Sequence, residues 1–141
     1  PSVVSKLSAW LRVVDQTGPD LNRFQSFLPG VHEGDKRFVL IDGEVSGAIN
    51  RLPAAGEFRT NLAQGGNAEI STLTDREKEI CAAMGPDLKA KGLIFVGIDV
   101  IGGKWLTEIN VTSPTGIVSI SNYDGTDLAG MIWDAVEGRL G

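Results

Sequence analysis

An α+β fold, a largely antiparallel sheet with helices packed on it, is what the sequence predicts. Two observations lead there: glycine turns at Asp42-Gly43 and Gly102-Gly103 lie between runs rich in β-branched and aromatic residues, and three other stretches repeat apolar residues at helical spacing. The alternation of these stretches along the chain argues for layers of helix on sheet. With 141 residues, 42% of them hydrophobic and 22% charged, residues 1–141 have the size and balance of a single domain with its own core.

The first helix is expected from Val3, Val4, Leu7, Leu11 and Val14, with Gly18-Pro19 ending it. Phe24 to Leu28 reads as a short strand stopped by Pro29-Gly30. After a polar turn, Lys36 to Ile41 forms the next strand, and Asp42-Gly43 returns Glu44 to Leu52 antiparallel beside it. Thr74 and Glu77 have capping-box spacing, and Ile80, Met84 and Leu88 continue a helix to about Lys91, with Gly92 beyond it. Pro86 predicts a kink or short break there. Leu93 to Val100 and Lys104 to Val111 make a hairpin, and Leu128, Ile132, Val136 and Leu140, with Trp133, make a last helix. Trp10, Trp105 and Trp133 are expected as packing anchors.

Composition narrows the chemistry. The lone Cys81 supports neither an intrachain disulfide nor a cysteine zinc site, and the lone His32 removes most histidine-centred catalysis. Cys81 reads as a packing residue, His32 as solvated. Any metal would be held by oxygen. The net charge of -5 argues against nucleic-acid phosphates as partners. No apolar run approaches the roughly 20 residues that cross a bilayer, and the first residues lack signal-peptide order, so the expected location is cytoplasmic. Beginning at Pro1 instead of methionine, the chain reads as a processed or cut piece.

If Gly102-Gly103 alone form the second turn, Val100 opposes Trp105, Ile98 opposes Thr107 and Val96 opposes Ile109 on a core face. The other face then carries Phe95, Gly97 and Asp99 beside Leu106, Glu108 and Asn110. Gly97 faces Glu108 and leaves space beside the carboxylates. Two neighbouring carboxylates repel unless a cation or a shared proton compensates. Carboxylates with an amide, and no imidazole or thiolate, suit Mg²⁺; a face turned to solvent explains the same residues equally well.

Residues 51–69, RLPAAGEFRTNLAQGGNAE, bring Arg51 and Arg59 into a run of small residues, and 53–69 reads as a mobile glycine and arginine loop. Neither a Walker motif nor G-x-G-x-x-G occurs. Arginine forks and glycine backbone suit an anionic ligand, whereas an ordinary surface loop would pair the arginines with Glu57 or Glu69.

GDKRFVLIDGE, AINRLPAAGEFRTNLAQGG, LTDREKEICAAMGPDLKAKGLIFVGIDVIG and LTEINVTSPTGI follow one another in an order that resembles the bacterial glutathione synthetases, which are ATP-grasp ligases. The likeness spans about residues 25–140 and only the C-terminal portion of that family. It implies the C-terminal subdomain of an ATP-grasp fold. It further implies Asp99, Glu108 and Asn110 as ligands of Mg²⁺, with Mn²⁺ as a substitute. Gln25, Phe27 and Leu28 would lie at the adenine, Asp35 near the ribose, and Asn61, Gly65 and Gly66 in the loop over ATP. Arg37, Arg51 and Arg59 would face the transferred phosphoryl group and the substrate carboxylates, and Ser113, Thr115 and Gly116 would bind a carboxylate. The implied reaction joins glycine to γ-glutamylcysteine through an acyl phosphate, in a homo-oligomer that includes the missing N-terminal portion. Asn67 and Ser26 depart from the family pattern. The central lysines of the family have no counterpart here, so the isolated chain is expected to lack turnover. A related carboxylate-amine ligase with another substrate, and a non-catalytic ATP-grasp-like binding domain, are the alternatives.

Overall fold

The computed structural model describes residues 27–53 and 67–141. The helix expected near the N-terminus, Trp10, and the candidates Gln25, Arg59, Asn61, Gly65 and Gly66 lie outside these residues.

Among the described residues, five strands form one antiparallel sheet in the order β3-β2-β1-β4-β5. They are β1 (Asp35–Ile41), β2 (Glu44–Leu52), β3 (Asn67–Ile70), β4 (Phe95–Ile101) and β5 (Trp105–Asn110). Helix α1 (Asp75–Ala90) packs on one face; α2 (Ile117–Asp124) and α3 (Leu128–Leu140) pack on the other. The central strand β1 explains this layering. Its Phe38 and Leu40 join Ile98, Cys81 and Leu88 under α1, while Val39 and Ile41 join Ile49, Ile120 and Leu128 on the opposite side. The antiparallel α+β prediction therefore holds.

Local chemistry accounts for most boundaries. Asp42 and Gly43 both take positive φ, 50° and 86°, which is the backbone that a tight hairpin needs. The capping box is present: Glu77 N–H donates to Thr74 Oγ1 at 3.3 Å, and Thr74 N–H donates to Glu77 Oε2 at 2.7 Å. Helix α1 continues through Pro86 without the short break that is one of the two outcomes expected there. Pro86 and Ala82 are both exposed, so the Ala82 carbonyl that loses its usual donor can be hydrated.

Four expectations need correction. Phe27 and Leu28 are not in a strand; Pro29–Glu33 is a 3-10 turn, which proline at its start favours. The third strand of that half is β3, at the far end of the 53–69 stretch, where Asn67, Ala68 and Glu69 pair with Leu52, Arg51 and Asn50. Helix α2 went unpredicted because its residues are poor helix formers and no side chain caps it; burial of Ile120 supports it instead. Trp105 and Trp133 are not buried anchors, being 49% and 66% exposed. Trp105 lies on edge strand β5, and α3 turns Leu128, Ile132 and Ala135 inward, which leaves Trp133 outside.

The β4–β5 register also differs. The turn includes Lys104, so Ile101 opposes Trp105 and Val100 opposes Leu106. A bulge follows, after which Asp99 opposes Glu108, Ile98 opposes Ile109 and Gly97 opposes Asn110. The longer turn and the bulge offset each other in parity. Glu108 and Asn110 thus still share the face of Asp99, while Leu106 moves to the other one.

Candidate functional site

Strand neighbours on the α2 and α3 face bring the charged candidates together. Asp35 opposes Arg51 across β1 and β2, Arg37 opposes Asp99 across β1 and β4, and Asp99 opposes Glu108 across β4 and β5. Arg37 Nε donates to Asp99 Oδ1 at 2.6 Å and Nη2 donates to Oδ2 at 2.7 Å, a bidentate fork. Its remaining nitrogen, Nη1, donates to Thr115 Oγ1 at 2.8 Å. Arg51 Nη2 reaches Asp35 Oδ2 at 2.5 Å and Asp99 Oδ2 at 2.7 Å. Glu108 Oε1 stands 3.8 Å from Arg37 Nη2, with a side chain 53% exposed.

Arg37 and Asp99 are 4% and 3% exposed, so their charges depend on each other. Burial pulls the Arg37 pKa down, but the hydrogen bonds and charge of Asp99, helped by Glu108 and Asp35, outweigh it and hold the guanidinium above its ordinary value. Among the described residues, the row sets Arg37 and Arg51 beside the carboxylates of Asp35, Asp99 and Glu108. The row opens to solvent at Glu108.

The turn after β5 closes on this row. Asn110 Oδ1 accepts from the N–H groups of Thr112 and Ser113 at 3.2 and 3.1 Å, so the amide shapes the turn. Gly116 takes φ of 113°, and a Cβ there would lie 3.5 Å from Arg37 Cδ. Pro114, which the sequence did not single out, covers Gly97: a Cβ on Gly97 would come within 2.9 Å of Pro114 Cβ and 3.7 Å of Arg37 Nε. The gap expected opposite Glu108 is therefore opposite Asn110, and proline and arginine occupy it. No pattern of spacing reveals that contact, because it depends on the path of the turn.

Asp35, Arg37, Arg51, Asp99, Glu108, Thr115 and Gly116 thus come together, with Asn110 and Ser113 in the adjoining turn. Phe27 and Leu28 precede the 3-10 turn; Phe27 is 62% exposed, with its ring 6.0 Å from that of the exposed His32, and Leu28 accepts from Val31 N–H. Among the described residues, no three His, Cys, Asp or Glu side chains converge as a ready-made metal centre. A groove of about 710 Å³ lies instead beside α1, lined by residues such as Val45, Leu73, Cys81 and Pro86 and by none of the charged row. Burial, then the charge of Glu77, pushes the Cys81 thiol up to about 11, which leaves it a packing group.

Comparison with known proteins adds the lineage. The chain is 55% identical over 115 residues to the glutathione synthetase of Rhodopseudomonas palustris, covering 82% of this chain and 36% of that one. It is 63% identical over 105 residues to the glutathione synthetase of Parasynechococcus marenigrum, covering 74% and 34%. The chain thus spans about a third of the length of these relatives. In fold it resembles the ATP-grasp ligase PsnB, solved with a precursor variant, Mg and ADP, at a TM-score of 0.56 and 20% identity, covering 83% of this chain and 35% of that one. Residues 4–125 match the model of the prokaryotic glutathione synthetase ATP-grasp domain, and the chain belongs to that family.

Proposed function

We propose that the chain is the C-terminal, nucleotide- and metal-handling portion of an ATP-dependent ligase that joins glycine to γ-glutamylcysteine. The observation that carries this reading is the charged row across β2, β1, β4 and β5, in which Asp99 and Glu108 stand directly opposed, in a chain of this family.

The residues fit a hard divalent cation in type and place. Asp99 and Glu108 are direct cross-strand partners, Asn110 is two residues further along β5, and the donors are oxygen. Asp99, Glu108 and Asn110 would hold Mg²⁺, which supplies charge neutralisation to the phosphates of ATP when bound. Asp99 must then be shared with, or released by, the guanidinium groups. Once Asp99 turns to a cation, Arg37 and Arg51 have donors to offer to anionic oxygens. Asp35 holds Arg51 in place through their ion pair and lies near the ribose in this reading.

The rest of the proposal follows the expected division of labour. Gln25, Phe27 and Leu28 meet the adenine, while Arg59, Asn61, Gly65 and Gly66 belong to the segment that excludes water from the reacting groups. ATP phosphorylates the cysteinyl carboxylate, the glycine amine attacks the acyl phosphate, and phosphate leaves as the amide forms. Arg37, Arg51 and Arg59 stabilise the negative charge spread over the transferred group. Thr115 orients Arg37 through its hydroxyl, and the turn of Ser113 to Gly116 offers backbone and hydroxyl donors to a substrate carboxylate.

A chimera tests this directly: the N-terminal part of the Rhodopseudomonas palustris relative joined to this chain. Release of ADP that requires both γ-glutamylcysteine and glycine is expected, and Arg37→Ala should abolish it. Turnover with a different amine acceptor would favour the alternative ligase. A folded chimera that binds ATP with Mg²⁺ but turns over nothing would favour a binding domain.

A further inference from the structure

The bulge in β5 decides which residues can meet at the charged row. Directly opposed residues of an antiparallel pair point to the same face, and a slip of one residue sends each side chain to the other face. From the turn outward, Ile101 pairs with Trp105 and Val100 with Leu106. Continued without interruption, that register would set Asp99 against Thr107, Ile98 against Glu108 and Val96 against Asn110. Ile98 and Val96 are 0% and 1% exposed in the core under α1, so Glu108 and Asn110 would be directed onto an apolar face.

Thr107 prevents this. It is the extra residue of β5: the register shifts between Asp99 and Val100, Thr107 is left without a strand partner, and Glu108 arrives opposite Asp99. Its hydroxyl donates to the Asp99 carbonyl at 3.1 Å, across the gap that the bulge opens in the ladder. Asp99 is therefore held twice, through its carboxylate by Arg37 and Arg51 and through its carbonyl by Thr107.

We propose that Thr107 is a positioning residue, whose bulge, pinned by its hydroxyl to Asp99, sets Glu108 and Asn110 beside Asp99 as one cation-binding set. The ligand class is a hard divalent cation, and that part rests on the function proposed above; the control of register stands on the strand pairing alone.

The test uses the 141-residue chain with Thr107→Ser, Thr107→Val and a deletion of Thr107. Two readouts are needed: cross-strand NMR contacts between Asp99 and Glu108, and the affinity for Mn²⁺ from its paramagnetic broadening, with and without ATP. Thr107→Ser should match the wild type in both. Thr107→Val keeps the shape without the donor and should weaken Mn²⁺ binding by about fivefold, the scale of one lost hydrogen bond. The deletion removes the extra residue, so the ladder should run unbroken with Glu108 still opposite Asp99, and the Asp99–Glu108 contact should persist while Mn²⁺ binding weakens as in Thr107→Val, since the hydroxyl is gone. Should the deletion fail to fold by circular dichroism, the comparison of valine with serine decides. Thr107→Val indistinguishable from Thr107→Ser in Mn²⁺ affinity, or a folded deletion variant in which the Asp99–Glu108 contact gives way to one between Ile98 and Glu108, would overturn the proposal. Absence of Mn²⁺ broadening in the wild type would sink the cation reading, and the ligand-positioning role with it, while the cross-strand contacts still report separately on the register.

Discussion

Lys36 and Arg37 are neighbours on β1, point to opposite faces, and each meets a buried carboxylate, yet the two pairs serve different ends. Lys36 Nζ reaches Glu77 Oε2 at 3.0 Å, and the same oxygen accepts the Thr74 N–H of the capping box. One cation and one anion balance, and the pair ties α1 to the sheet. Arg37 instead spreads its donors over Asp99 and Thr115, shares Asp99 with Arg51, and leaves Glu108 half exposed beside them. A point charge can satisfy a cap, whereas a planar fork can align several groups at once. Buried charge alone therefore does not mark the site. What distinguishes the second region is the half-exposed Glu108 carboxylate at the end open to solvent, next to the buried Arg37–Asp99 fork.

The largest effect expected from breaking this contrast is at Asp99. Asp99→Ala leaves two cations facing each other with their shared partner gone, and should cost about 3–5 kcal/mol in denaturant unfolding. Replacing both members, as in Arg37→Met with Asp99→Leu, should recover a large part of that loss, because the cost lies in the unpaired charge. On the other face, Glu77→Ala removes the partner of Lys36 and half of the capping box. Lys36 has a side chain 21% exposed and can turn toward water, so the loss should be smaller, about 1–3 kcal/mol. A loss at Glu77 that equalled the loss at Asp99 would contradict the distinction drawn between the pairs. Thr74→Ala, which removes only the cap acceptor, should cost about 1 kcal/mol in the same measurement.

Much of this contrast was legible in the sequence, though not all for sound reasons. The capping box at Thr74 and Glu77 is local chemistry, read from spacing and found as expected. The sharing of one face by Asp99, Glu108 and Asn110 was also read correctly, but through two errors that cancel: the turn is one residue longer than supposed, and β5 carries an unforeseen bulge. Alternation reports parity and says nothing of register. The Asp99 bridges to Arg37 and Arg51 were not foreseen, because they depend on the order of strands across the sheet. Helix α2 and the Pro114 contact with Gly97 escaped for a related reason, since packing by distant elements supports both.

The smallest effect tests the ion pairs at the edge of the fold, where exposure weakens what burial strengthens at Asp99. Asp42 lies in the β1–β2 turn with Lys89 Nζ at 2.7 Å and an Arg139 guanidinium nitrogen also on its carboxylate. The hydrogen bond from Lys89, then that from Arg139, holds the Asp42 carboxyl below its ordinary value of 3.8. A folded-state pKa below the unfolded one gives stability that is present above the unfolded value and disappears as pH falls through the folded value. Asp42→Asn should therefore be slightly less stable than the wild type at neutral pH, with the difference closing below pH 3.8. Asparagine tolerates the positive φ of 50° at this position, so the turn itself should survive and the comparison should isolate the charge. Added salt should shrink the neutral-pH difference, since exposed pairs are screened. A gap between the two proteins that stayed constant from pH 7 to pH 2 would assign the effect to the turn instead of to Lys89 and Arg139.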